Sequence, residues 1–490
     1  MKKLNIKISV LLLSLMMITS CSDDFVDVES DDINSADFFN TEADYQSALI
    51  GAYDLLQATY VNVLLGEIAS DNTLCGGESA TDVVGFQEID DMIHTPVNSN
   101  LRDVWSWMFA GVNRANFILE NQDNVEFQGK AGVLAQARFL RAYYYFELVK
   151  WFGDVPMTVD KQILFGEETA LDRIPTSEVY AQIELDLIYA ADNLPYVQSE
   201  SGRVTKGAAQ ALLGKAYLYQ NKFAEAGTVL EDVIANGPYD LVTDYNTIFE
   251  AAGENGIESV FEVQYTDMQG AGFGCLQCSE GNVAVGFSGI RNYEGPDFSS
   301  GFSFNVPTQE AYDAFDTDDL RRDVAILDID AWATSTGATF GTGFEHTGYF
   351  NRKYIPRKRD AGAQSDLNLT NPNNYRAIRF ADVLLMAAEA LNRGSISDSR
   401  AQLYLNRVRR RAFGDMLHDV TSTGSALTEA IYNERRLELV GEGHRFFDLV
   451  RTGRAASEIN GFVAGKHELF PIPDIEIQLT GNRWAQNPGY

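Results

Sequence analysis

The chain has 490 residues, 45% hydrophobic and 11% aromatic, a composition that buries a large core and excludes a disordered polypeptide. Its formal charge is −32, from 70 acidic and 38 basic residues. That charge excludes nucleic acid and anionic lipid as charge-driven partners and disfavours strongly anionic ligands.

Lys2, Lys3 and Lys7 form a basic start, and Ile8 to Ile18 is apolar but short for a membrane span. Ile18-Thr19-Ser20-Cys21 resembles a lipobox, with small residues before a cysteine. Residues 1–20 therefore read as a lipoprotein signal peptide. Cys21 reads as the lipidated residue, so the mature chain is expected to be anchored to a membrane, not inserted in it. Residues 21–40 read as an acidic tether.

Thr41 to Tyr60 is predicted as a helix, with Thr41 or Asn40 as its cap. Residues 66–98, rich in Gly, Ser, Asp and Asn, read as loop. Leu101 to Asn121 recovers helical spacing through Trp105, Met108, Val112, Ala115 and Leu119, so Trp105 is expected in the core. Lys130 to Phe152 carries two apolar stripes and must be buried nearly all round. Gly153-Asp154-Val155-Pro156 stops it. Pro175 to Asn193 is another helix, with Pro175 in its first turn.

Leu213-Gly214, Tyr217, Ala226 and Pro238 sit at the relative positions of a tetratricopeptide repeat, with Asn221-Lys222 as the turn. One such repeat cannot bury its own face, so others must stack on it. Residues 377–413 read as a weaker second copy, and the helix pairs at 101–152 and 425–453 supply further units. The fold class expected is thus mostly α, a scaffold of tetratricopeptide-like helix pairs with a large irregular region. The organisation reads as 41–238 helical, 239–374 loop-rich and 375–490 helical with an extended Pro-rich tail. Within 239–374, Ser259 to Val263 reads as a strand and Thr308 to Phe315 as a brief helix. So much loop inside a globular chain is usually functional.

The stretch Glu434 to Arg454 reads as two short helices broken at Gly441-Glu442-Gly443. If Leu427, Ile431 and Leu437 face a core, Glu434 and roughly Glu438 turn inward with them. Buried carboxylates need cationic partners. Arg138 and Arg141, on the buried 130–152 segment, are the expected partners. At i, i+4 beside Arg435 and Arg436, the two glutamates read as structural ion pairs rather than a glycosidase acid and nucleophile. Cys275 and Cys278 read as a local disulfide or two idle thiols. The five histidines show no metal-ligand spacing and the aspartate runs match no EF-hand loop, so neither metal nor cofactor is expected.

Four segments then carry a family resemblance. They are Ala137-Arg138-Phe139-Leu140-Arg141-Ala142-Tyr143-Tyr144-Tyr145-Phe146 running into Trp151-Phe152-Gly153-Asp154-Val155-Pro156; Asn305-Val306-Pro307-Thr308-Gln309-Glu310 with Asp313-Ala314-Phe315 and Asp319-Leu320-Arg321; Glu434-Arg435-Arg436 through Glu442-Gly443-His444-Arg445 to Asp448-Leu449-Val450-Arg451; and Pro471-Ile472-Pro473 with Gln486-Asn487-Pro488-Gly489-Tyr490. In this order, behind a lipobox, the chain resembles the SusD/RagB family of nutrient-binding outer-membrane lipoproteins of Bacteroidetes. Ser22-Asp23-Asp24 resembles the acidic surface-export signal of such lipoproteins. The resemblance implies a mostly α-helical fold on tetratricopeptide-type helix pairs. It implies oligosaccharide binding at the cell surface, a SusC-type TonB-dependent transporter as partner, and no catalysis.

Neutral sugars stack on aromatic rings while polar side chains read their hydroxyls, so loop-borne aromatics are the candidates. Trp332, between Asp328-Ile329-Asp330 and a Gly- and Thr-rich run, is the first choice. Tyr293, after Gly289-Ile290-Arg291-Asn292, and Phe86, in the 66–98 loop, follow. Asp71 and Asn72 are candidate hydroxyl binders, or equally a helix exit and turn. The cluster Arg352-Lys353 to Arg357-Lys358-Arg359 reads as a solvated loop or transporter contact. The ligand expected is an oligosaccharide or polysaccharide, of neutral glucan type. The rival readings are a lipid-anchored glycoside hydrolase and a repeat scaffold that binds only protein.

Overall fold

The structure, a computed structural model, describes residues 38–164, 166–167, 170–268, 272–359, 366 and 368–490. The signal peptide, Cys21 and the tether as far as residue 37 lie outside the described residues.

Thr41 closes a capping box with Asp44 and starts the helix Glu42–Asp54. The helix ends earlier than predicted; a 3₁₀ turn, Gln57–Thr59, leads into a second helix, Tyr60–Ile68. The expected loop 66–98 is also interrupted, by the helix Val84–Asp90. Asn98 then caps Ser99–Glu120, its side chain accepting the N–H groups of Asn100 and Leu101. Lys130–Phe152 follows with the predicted bounds and is buried on nearly every face. These last two helices approach closely because residue 111 is glycine: a Cβ there would lie 2.6 Å from the Tyr144 ring.

From here the helices stack in sequence. Lys130–Phe152 packs on Thr176–Asn193, which packs on Lys206–Tyr219, and that on Phe223–Asn236. Asn221 takes the left-handed turn between the repeat helices at φ +57, and Gly214 admits Leu230 of the facing helix. The next helix in the stack is Phe380–Arg393, followed by Asp398–Phe413 and Gly424–Leu439. This is a tetratricopeptide-like scaffold. The chain between residues 236 and 380 leaves the stack and returns to it. Its outgoing strand Ser259–Val263 and returning strand Tyr375–Arg379 pair antiparallel and clasp the excursion at its base. Two further short ladders stiffen it, Thr73–Leu74 with Val306–Pro307 and Ile326–Asp328 with Tyr349–Asn351. Two small apolar clusters fill it, one around Tyr245, Phe249 and Phe315, the other around Ile290, Phe298 and Phe350.

The two inward glutamates are fully buried, as their helical period requires. Their expected partners are corrected. Arg138 and Arg141 instead hold Asp186 of the neighbouring 176–193 helix, at 3.1 and 2.8 Å. Arg321 bridges Glu434 and Glu438 at 2.7 and 2.9 Å. Arg409 adds 2.7 Å to Glu434, and Arg379 and Arg411 add 2.8 and 2.6 Å to Glu438. Arg321 and Arg379 belong to the excursion. The glutamates therefore brace the excursion to the stack, not the last helices to 130–152.

The basic cluster is corrected in the same way. Lys353 is buried against Glu442 at 2.7 Å, and burial pulls its ammonium down to about 8. Arg357 grips Glu250 at 2.9 Å. Trp105 lies in the core as expected. Cys275 and Cys278 are joined by a disulfide, and Cys75 is buried as a free thiol.

Candidate functional site

The helix Ile329–Thr336 is built to present one ring. Asp328 caps it by accepting the Ala331 N–H at 2.9 Å, and Gly337 ends it in the left-handed region at φ +77. Its exposed face is short and polar, and Trp332 stands half-buried at its edge. The indole Nε1–H donates to the Tyr293 hydroxyl at 2.9 Å, which donates in turn to the Pro296 carbonyl at 2.7 Å. Phe298 packs against the indole at 5.3 Å between centroids, and the Arg357 guanidinium lies over Phe298. The ring of Trp332 is thus fixed before any ligand arrives. A fixed aromatic loses little entropy on binding.

Three loops meet beside it. Glu294 and Thr339 exchange two backbone hydrogen bonds at 2.9 Å each. The Gly341 N–H donates to the Arg291 carbonyl at 2.8 Å, and the Phe344 N–H to the Gly77 carbonyl at 2.9 Å. Asn292 is exposed and held at φ +49, its amide Nδ2 3.0 Å from where a Cβ on residue 341 would stand. A Cβ on residue 343 would come 2.5 Å from the Gly77 carbonyl. Glycine at 341 and 343 therefore lets the loops approach this closely. Arg291 donates from Nη2 to the Phe302 carbonyl at 3.0 Å and stands 3.7 Å from Asp82, while its Nε is buried without a hydrogen-bond partner among the described residues. Phe340 is half-buried beside His346 at 5.8 Å. The arrangement offers an oriented aromatic ring on a loop junction that also carries an amide, a carboxylate and a guanidinium.

The other candidates fare differently. Tyr293 is only 5% exposed; burial raises its phenol, and its hydroxyl is spent on Trp332 and Pro296. It is corrected from ligand contact to support for Trp332. Phe86 is corrected too: on the Val84–Asp90 helix it packs edge-on against Phe287 and Phe304 at 5.5 and 5.6 Å, and it is 2% exposed. Asp71 is taken by Arg445 through both oxygens, at 2.7 and 2.8 Å, and by Arg436 at 3.2 Å. Asn72 is buried and accepts from Arg436 Nε at 2.8 Å. Both are structural ties rather than hydroxyl binders. Asn292, Arg291, Asp82 and Phe340 were missed. The sequence signal for them was Gly341-Thr342-Gly343, whose small residues admit a neighbouring loop. Glu434 and Glu438 are sealed among guanidinium groups, which removes them from solvent and from acid–base chemistry.

A SusD family model matches residues 327–468, and a model described as starch-binding associating with outer membrane matches residues 24–218. SusD-like protein P2 of Formosa agariphila is 30% identical over 527 residues, covering 100% of both chains. The chain belongs to the SusD family. Among solved structures, a laminarin binding SusD-like protein superposes with a TM-score of 0.84 at 36% identity, covering 92% of this chain and 100% of the other. Surface glycan-binding protein A from Bacteroides thetaiotaomicron, in complex with laminarihexaose, gives 0.82 at 28% identity, with 91% and 100% covered.

Proposed function

We propose that this protein captures a neutral glucan of the laminarin type and passes it to a SusC-like TonB-dependent transporter, without chemical change to the sugar. The observation that carries the reading is the Trp332 indole, locked by Tyr293 and Phe298, on a loop junction where Arg291 and Asn292 precede Tyr293 and Arg291 meets Asp82. Sugar rings would stack on the indole face, and the polar border would read hydroxyls. The ligands named for the two structural relatives support the glucan choice, and the net charge of −32 disfavours uronic or sulfated polymers. In this reading Cys21 carries lipid and holds the protein at the outer face of the outer membrane.

The test is titration calorimetry of the mature protein with laminarihexaose, a starch oligosaccharide and an anionic oligosaccharide, with Trp332→Ala alongside. Laminarihexaose should bind, and the substitution should weaken it by at least about tenfold, as loss of a central aromatic anchor does. Equal binding in the mutant would remove the site; reducing-end release would remove the non-enzymatic reading. Co-purification with the transporter tests the partner.

A further inference from the structure

A second opening lies away from the Trp332 platform and shares no residue with it. It is a cavity of about 310 Å³ between the Glu42–Asp54 helix, the turn at 201–203 and the strand Ser259–Val263. A neighbouring cavity of about 210 Å³ shares Ser201, Gly202, Arg203 and Glu262 with it, so the two form one groove along that strand. The larger chamber alone reaches the lower end of small-molecule pockets, about 300 Å³.

The groove is built rather than left over. The half-buried Tyr53 ring stands in the wall of the larger chamber, fixed by its hydroxyl, which donates to Gln136 at 2.8 Å and accepts the Val204 N–H at 2.9 Å. Arg203 lies over that ring at 5.3 Å and is itself held by Glu200 at 2.9 Å. Leu56 and Val263 supply buried apolar lining. Gln264 is clamped by a reciprocal pair of side-chain hydrogen bonds with Asn255, at 2.9 and 3.0 Å, and fits the space left by Gly202. A Cβ on residue 202 would come 2.4 Å from the Gln264 side chain, and its φ of +81 suits glycine. By contrast, the Ser201 and Glu280 side chains line the same space and make no hydrogen bond to another described residue. Asp54 gives one oxygen to Arg114 and also faces the cavity.

We propose that this groove is a second saccharide site, which takes one or two units of a neutral glucan against the Tyr53–Arg203 wall, with its hydroxyls on Glu280, Asp54 and Ser201. Carboxylates outnumber the single arginine in the lining, which excludes anionic sugars. The inference rests on the glucan reading of the Trp332 platform. With two sites, a long glucan is gripped twice and a short one once, so the polymer gains avidity that the hexaose lacks.

The full mature protein is titrated with laminarihexaose and with polymeric laminarin, as wild type, Ser201→Trp, Glu280→Ala and Trp332→Ala. Ser201→Trp fills the groove from an exposed position, and Glu280→Ala removes an unengaged carboxylate, so thermal melts should match wild type. Both groove substitutions should weaken polymer binding about tenfold or more, with hexaose binding at the Trp332 platform persisting. A polymer affinity equal to wild type in both variants overturns the second site and leaves the first intact. Absence of any glucan binding by the wild-type protein overturns the glucan reading itself.

Discussion

Arg379 holds Glu442 with two edges of its guanidinium, Nε to Oε2 at 2.9 Å and Nη2 to Oε1 at 2.8 Å, and neither side chain reaches solvent. The contact joins the last strand of the excursion to the Gly441–Gly443 break in the terminal helices. Burial works against both charges. Yet Glu442 and Glu438 hold Arg379 well above its ordinary range, and Arg379 and Lys353 hold Glu442 below its own. The excursion that carries the candidate site is thus pinned by charge at its base.

Removing one partner from this brace should be severe. Arg379→Ala takes a shared guanidinium from Glu438, Glu442 and Glu258 and leaves three buried carboxylates to Arg321, Arg411 and Lys353, a change that costs about 3–5 kcal/mol. Denaturant unfolding checks it. A loss below about 1 kcal/mol would show that water enters and screens the carboxylates.

Gly443→Ala should also destabilise. The residue sits at φ +80, and an added Cβ would lie 2.8 Å from the Val63 carbonyl, which is backbone and cannot swing away. The left-handed conformation alone costs about 1–2 kcal/mol for a residue with a side chain. Thermal melting of the variant, with Gly424→Ala as a control for φ without contact, separates strain from collision.

Two buried carboxylates should each cost stability as pH rises from about 4.5 to 7. Burial pushes Glu67 up to about 7, only partly offset by the N–H groups of Gly443 and Gly441, and burial pushes Asp90 up to about 7 as well. In that window the unfolded chain has released protons that the folded chain keeps, so raising the pH favours unfolding, and the effect ends above about 7. Below the ordinary carboxylate range the sign reverses: Glu389, Glu442 and Asp71 are held low by arginines despite burial, and acid removes that stabilisation. His94 and His444 act the other way in the first window: burial pulls both down to about 3, so the unfolded chain holds protons there that the folded chain lacks, and raising the pH favours folding through them. Asp90→Asn should shift the slope of melting temperature between pH 4.5 and 7 in the positive direction relative to wild type; an unchanged slope would sink the assignment to that group.

Tyr293→Phe should separate support from contact. It removes the oxygen that accepts from Trp332 Nε1 while keeping the ring in its cluster. Glucan affinity should drop by about 1 kcal/mol, roughly fivefold, with little change in melting temperature. An affinity loss as large as that of Trp332→Ala would make Tyr293 a direct ligand contact.

The helices of the scaffold were legible because each announces itself locally. Lys130–Phe152 has an apolar stripe on every side, and Gly214 with Ala226 marks a close helix pair. The candidate site was legible only in part. Trp332 stood out because nothing in its own segment could bury it. Phe86 deceived because the residues that cover it, Phe287 and Phe304, lie some two hundred positions further along. Asp71 looked free for the same reason, its partner being Arg445.

By itself the sequence determined that Glu434 and Glu438 turn inward if Leu427 and Ile431 face a core, and that carboxylates so placed must meet cations. It equally determined a stack of helix pairs, since one repeat cannot cover its own apolar face. Only the tertiary structure decided which cations: Arg321 and Arg379 from the excursion, while Arg138 and Arg141 went to Asp186. The reason is that periodicity fixes the face on which a side chain lies, whereas an ion pair between distant segments depends on where the chain returns. The same holds for the site, whose ring was written locally at Trp332 and whose polar border was assembled from three loops.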